Sequence, residues 1–129
     1  MKLVLLVLLV ISTSTLSEDV TPPTVTDTVP SSGSEDVDPA LTEIRVSFNE
    51  DMMAGSWSWA TRGNGEFPEI AGKPRWEDDR RTAVLPVSLK PGMDYEILIN
   101  SPKHRNFKDA AGNPAVPFVL RFSTRHAGE

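Results

Sequence analysis

Leu89-Lys90-Pro91-Gly92-Met93-Asp94-Tyr95, running into Glu96-Ile97-Leu98-Ile99, is the stretch on which the fold turns. It reads as a tight corner that feeds a β-strand, with Gly92 in the corner and a tyrosine at the strand's entry. In antiparallel sandwiches a tyrosine in this place folds back, and its hydroxyl bonds the backbone near the corner. Tyr95 is therefore expected to be a structural peg.

The chain on either side agrees with that reading. Thr24-Val25-Thr26-Asp27-Thr28-Val29 alternates and is β-branched, which predicts a strand. Pro30 to Asp36 reads as a loop. In Thr42-Glu43-Ile44-Arg45-Val46-Ser47-Phe48 the residues Ile44, Val46 and Phe48 share one face, and Glu43, Arg45 and Ser47 the other. Ser56-Trp57-Ser58-Trp59-Ala60 resumes period two after a break at Asn49 to Gly55. Phe67 to Ile70 predicts a short edge strand, since Pro68 suits an edge, and Arg75 to Glu77 another. Glu77 to Arg81 is a charged hairpin tip. Thr82 to Leu89 places Ala83, Leu85, Val87 and Leu89 together. After the corner, Tyr95, Ile97 and Ile99 align, and Phe118, Leu120 and Phe122 do so in Pro117 to Thr124. Ser101 to Pro114 is a long connection. Short strands at this spacing, with turns between them, predict an all-β, seven-stranded antiparallel Ig-like sandwich. Its core should draw on Val25, Ile44, Val46, Phe48, Trp59, Leu85, Val87, Tyr95, Ile97, Ile99, Phe118, Leu120 and Phe122.

The first residues belong to another layer of information. Met1-Lys2 is positive, Leu3 to Ile11 is apolar throughout, and Ser12 to Ser17 is small and polar apart from Leu16. This is the pattern of a cleavable secretory signal peptide, and the apolar run is too short for a membrane span. The expected organisation is a signal peptide over 1–17, a leader over 18–23, the sandwich over 24–125 and a tail over 126–129. The product would be secreted, periplasmic or on the cell surface, with no membrane insertion after cleavage. Without Lys2, 12 basic residues face 18 acidic ones, a net charge near −6. Such a domain repels phosphate backbones, so nucleic acid is not an expected partner. The chain has no cysteine, so no disulfide contributes and apolar burial must hold the fold.

Three marks resemble a known family. They are Pro23 with Val29-Pro30-x-x-Gly33, the strand end Ile44-x-Val46-x-Phe48-Asn49-Glu50-x-Met52, and Lys108-Asp109-Ala110-Ala111-Gly112-Asn113-Pro114 ahead of Phe122-Ser123-Thr124. With the corner, they occur in the order found in bacterial Ig-like domains of the surface-layer (SbsA) type. The resemblance covers Pro22 to Thr124. It implies a seven-stranded sandwich, export, and a spacer or binding role in surface or secreted proteins. It implies no catalytic residues. With one such domain behind a signal peptide, a contact surface of its own is expected rather than a pure spacer's role.

Few residues suggest chemistry. Asp109 and Asn113 offer oxygens on a turn, which Ca²⁺ favours, but two ligands fall short of the six to eight it takes. The plainer reading is that Asp109 caps the turn, Gly112 takes a left-handed conformation and Pro114 ends it. No cofactor is therefore expected, and no metal. Trp57, Trp59 and Trp76 could stack on sugar rings or fill the core. Trp59 is assigned to the core. Trp76, flanked by Arg75 and Glu77, is expected to be exposed. His104 and His126 lie in no metal-site spacing, and no nucleophile-elbow motif is present. The expected function is a non-catalytic binding or structural module whose partner is a protein or a cell-envelope polysaccharide. Trp57, Trp76 and Arg75 are the candidate binding residues.

Overall fold

The computed structural model describes residues 20–128, so the expected signal peptide and the first leader residues lie outside them. Nine strands follow in order: β1 (Val25–Val29), β2 (Ser34–Val37), β3 (Glu43–Phe48), β4 (Trp59–Ala60), β5 (Glu69–Ile70), β6 (Arg75–Trp76), β7 (Thr82–Ser88), β8 (Asp94–Ile99) and β9 (Phe118–Thr124). One sheet runs β1-β3-β7-β5, with β6 also on β7, and the other runs β2-β9-β8-β4. The two layers face each other as a sandwich.

The alternation seen in the sequence becomes the core. Ile44, Val46 and Phe48 of β3 and Ala83, Leu85 and Val87 of β7 face Tyr95, Ile97 and Ile99 of β8 and Leu120 and Phe122 of β9. Val25, Trp59 and Phe118, also expected inside, pack against this cluster while only partly buried. Met52, Phe107 and Ala115 join it from loops.

One strand was not expected from the sequence. The stretch expected as a loop contains β2, which lies parallel to β9 with Ser34 opposite Phe122 and Val37 opposite Thr124. Ser34-Glu35-Asp36-Val37 carries almost no apolar signal because it is a polar edge strand, a composition that discourages association with other chains. Its backbone sets the pairing, through Gly33 N–H to Arg121 O at 2.7 Å and Arg125 N–H to Val37 O at 2.9 Å. The two short strands expected between β4 and β7 are both present, β5 and β6, and each pairs with β7.

The corner that led the reading has a defined geometry. The Tyr95 hydroxyl accepts a hydrogen bond from Lys90 N–H at 2.8 Å, and its ring stacks on Phe122. Gly92 has φ of 64°, and a Cβ there would lie 2.8 Å from His126 Nδ1. Only glycine meets both conditions without strain.

Candidate binding surface

At one end of the sandwich the chain uses its loops as structure. Met52 N–H bonds Arg80 O at 2.9 Å, Met53 N–H bonds Lys108 O at 2.8 Å, and Ala110 N–H bonds Asp51 O at 3.1 Å. The break after β3, the β6–β7 tip and the turn at 108–114 are thereby tied together. Asp51 pairs with Arg81 at 2.9 Å and with Arg80 at 3.0 Å, and these hydrogen bonds hold its carboxyl below the usual range. The tip arginines thus reach across to another loop as well as neighbouring Asp78 and Asp79.

The 108–114 turn is built around Asp109. Its Oδ1 accepts from Asn113 N–H at 2.8 Å and Ala111 N–H at 3.0 Å, and its Oδ2 accepts from Asn113 Nδ2 at 3.0 Å. Gly112 sits at φ of 93°. Burial alone would raise the Asp109 carboxyl, but bonds from Asn113, Glu50 and Ala111 outweigh it and leave the group lowered. Among the described residues no group of three or more His, Asp or Glu side chains is placed to hold a metal ion.

A second carboxylate is buried on the outer face of the other sheet. Glu96 lies between Arg62, at 3.0 Å, and Arg121, at 2.7 Å, with only 2% of its side chain exposed. The Arg62 hydrogen bonds lower its carboxyl most, and burial opposes them. Gly65 crosses directly above, where a Cβ would come within 3.1 Å of Glu96 Cβ.

The aromatic residues form one cluster. Trp59 meets Phe107 edge-on at 4.9 Å, Trp76 meets Phe107 edge-on at 6.1 Å and tilts against Phe48 at 6.0 Å, and Trp57 stacks on Trp76 at 6.5 Å. Trp76, expected to be exposed, is half-buried on the core. The reason is strand alternation. Arg75 and Glu77 turn to the outer face, where Arg75 pairs with Glu43 at 3.0 Å and Glu77 at 3.5 Å, while Trp76 takes the inner face opposite Ala83. Polar flanks marked a strand rather than exposure. The candidate set is thereby divided: Trp57 and Trp76 touch, and Arg75 lies on the other side of its sheet. The indole N–H groups of Trp59 and Trp76 are buried without an acceptor among the described residues.

Trp57 and Trp59 also face outward in part. They line a groove of about 430 Å³ with Ser58, Ala60, Thr61, His104 and Asn106, along β4, the outermost strand of its sheet. Backbone ties fix this wall. Ser58 O accepts from Asn100 N–H at 3.1 Å, Ser58 Oγ accepts from Asn106 N–H at 2.9 Å, and Ser56 Oγ bonds Asn106 O.

Behind the wall stands Asn100, which the sequence did not single out. It is buried, with φ of 65°. Its Nδ2 donates to Phe107 O and Ala115 O, each at 3.0 Å, and its Oδ1 accepts from Phe107 N–H at 2.9 Å. One amide thus folds the long connection back and sets Phe107 under the tryptophans. The only sequence signal was an asparagine at a strand terminus, a residue that tolerates left-handed backbone.

Comparison with known proteins adds a family. A family model described as a bacterial Ig-like domain matches residues 19–124. Two similar solved structures are the surface-layer protein SbsC, domains 1–6, and the S-layer protein rSbsC. Each aligns at 16% identity with a TM-score of 0.49, over 81% of this chain and 14% of theirs. This chain therefore spans a small fraction of those proteins. No curated protein matches it. No helix among the described residues is long and apolar enough to cross a membrane.

Proposed function

The chain belongs to the bacterial Ig-like domain family, and on that footing we propose a non-catalytic binding module of the cell exterior whose contact surface is the groove along β4. The carrying observation is that the partly buried Trp57 and Trp59, at and just before an outermost strand, both line the groove, held by bonds from Asn100, Asn106 and Ser56. Rigid aromatic faces at a fixed edge suit recognition, because little side-chain entropy is lost on contact. The export pattern at Met1 to Ser17 supports an exterior location. A structural rather than catalytic role is supported by the two buried carboxylates. Asp109 is saturated by turn amides and Glu96 is clamped by two arginines, so both serve as acceptors in fixed bonds. The same saturation supports work without Ca²⁺, since a cation at Asp109 would have to displace those donors.

Two occupants compete for the groove, a protein segment and a cell-envelope polysaccharide. The paired indole faces favour the polysaccharide, whose rings present flat apolar faces ringed by hydroxyls. Co-sedimentation with isolated bacterial envelope fractions tests the proposal. The unaltered chain should sediment, and Trp57→Ala and Asn106→Ala, each shown by urea unfolding to be folded under the assay conditions, should remain in solution. Equal sedimentation of all three would remove the groove from consideration.

A further inference from the structure

We propose that the groove along β4 takes an anion-bearing polysaccharide, with sugar rings on Trp57 and Trp59 and acidic substituents against Lys103, His104 and Arg105. The inference rests on the groove being the binding surface and names the chemistry of its occupant. The groove does not end at His104. A second depression of about 370 Å³, lined by Leu98, Pro117, Val119 and Lys103 among others, meets it at Thr61 and His104. Loop 101–106 stands at the junction. Ser101 N–H bonds His104 O at 2.8 Å and His104 N–H returns to Ser101 O at 3.2 Å, so the loop is closed on itself. It is anchored on both sides, by Asn100 and by Phe107. Lys103, His104 and Arg105 are all exposed on it.

The loop gathers three consecutive basic side chains, all exposed. Arg45, Arg62, Arg75, Arg80, Arg81, Arg121 and Arg125 each pair with a carboxylate. Among the described residues Arg105 alone of the arginines has no such partner, and Lys103, like Lys73, Lys90 and Lys108, has none either. In a chain of net charge −5, Lys103 and Arg105 form no ion pair and stand exposed on the loop whose His104 lines the same groove as Trp57 and Trp59. The loop attracts anions to the groove that the two tryptophans line. A neutral glycan would use the indoles and ignore the loop. An acidic peptide would use the loop and ignore the indoles.

Titration of tryptophan fluorescence at low and moderate salt tests this. The probes are polygalacturonate, a phosphorylated mannan, a neutral xylan and polyglutamate, which separate carboxylate-bearing from phosphate-bearing polymers and sugars from peptides. At least one anionic sugar polymer should quench fluorescence and bind about tenfold or more tightly than xylan, with affinity falling as salt rises. The exposed double variant Lys103→Ala, Arg105→Ala should lose about tenfold for that polymer and keep its unfolding midpoint. Xylan binding as tightly as the anionic polymers, or no effect of the double variant, overturns the inference and leaves the groove standing. Polyglutamate binding as tightly also overturns it, since charge alone then suffices. Failure of every probe overturns it too, and only unchanged envelope binding by Trp57→Ala and Asn106→Ala removes the groove itself.

Discussion

Replacing Asn100 should be among the most damaging single changes in the domain, and its cost can be worked from the geometry. Asn100→Ala removes the amide that serves three buried groups: Phe107 N–H, Phe107 O and Ala115 O. Phe107 O keeps a second partner, because Ala115 N–H also bonds it at 2.8 Å. Two groups are left without partners, and each costs about 1–3 kcal/mol when buried. Alanine must also hold φ of 65°, which adds about 1 kcal/mol. The total is about 4 kcal/mol, a large part of the roughly 5–15 kcal/mol that a domain of this kind has. Asn100→Gly loses the same bonds but accepts the backbone, so it should be about 1 kcal/mol less damaging. Urea unfolding followed by tryptophan fluorescence reads both, with Trp59 beside Phe107 as reporter. Equal midpoints for the Ala and Gly variants would refute the backbone part of the argument. A loss under about 1 kcal/mol in both would refute the hydrogen-bond part.

Tyr95→Phe keeps the ring on Phe122 and strands Lys90 N–H, so the urea midpoint should fall by an amount equal to about 1 kcal/mol. Glu96→Gln breaks a buried clamp, but Arg62 and Arg121 can turn to water, being 45% and 56% exposed; differential scanning calorimetry should show a loss of about 1–2 kcal/mol rather than the larger cost of a fully buried pair. Because Glu96 and Asp109 are lowered in the folded state, unfolding takes up protons. Their stabilisation is complete above their ordinary pKa values near 4 and is lost as pH falls through the lower folded ones. Melting temperatures should be insensitive to these groups at neutral pH and drop below about pH 4, less steeply in a Glu96→Gln, Asp109→Asn double variant. Calorimetry with Ca²⁺ should give no heat and no shift in melting temperature; measurable binding would show that Asp109 and its neighbours can rearrange into a cation site.

How much was legible depended on whether a residue's role is local. The faces of β3, β7, β8 and β9 could be read because period two needs nothing beyond the neighbours, and the corner at Gly92 because turn chemistry is written in consecutive residues. The resemblance marks named the family correctly. Asn100 and Phe107 were opaque, since their meaning arises only when residues 100, 107 and 115 meet, and no spacing announces that. Trp76 misled for the opposite reason. Its neighbours Arg75 and Glu77 suggested water, yet in a strand of alternating faces charged neighbours point to an apolar middle. β2 was invisible because a parallel edge pairing rests on backbone groups, which the side chains of Ser34 to Val37 do not betray.

The parallel run of β2 beside β9 also bears on how the domain would respond to being pulled. A load that reaches Ser34 from one side and Thr124 from the other acts along these two strands, so their hydrogen bonds, evenly spaced in a parallel pair, share the strain together. Antiparallel β1 on β3 offers a different path, in which pairs part in succession from one end. Resistance should therefore concentrate where Gly33, Ser32 and Arg125 bridge to Arg121 and Val37. Single-molecule pulling on a Ser32→Ala variant, which removes a side-chain bridge to Arg121 N–H, should show a lower unfolding force with little change in equilibrium stability. An unchanged force would mean that the tension is borne elsewhere.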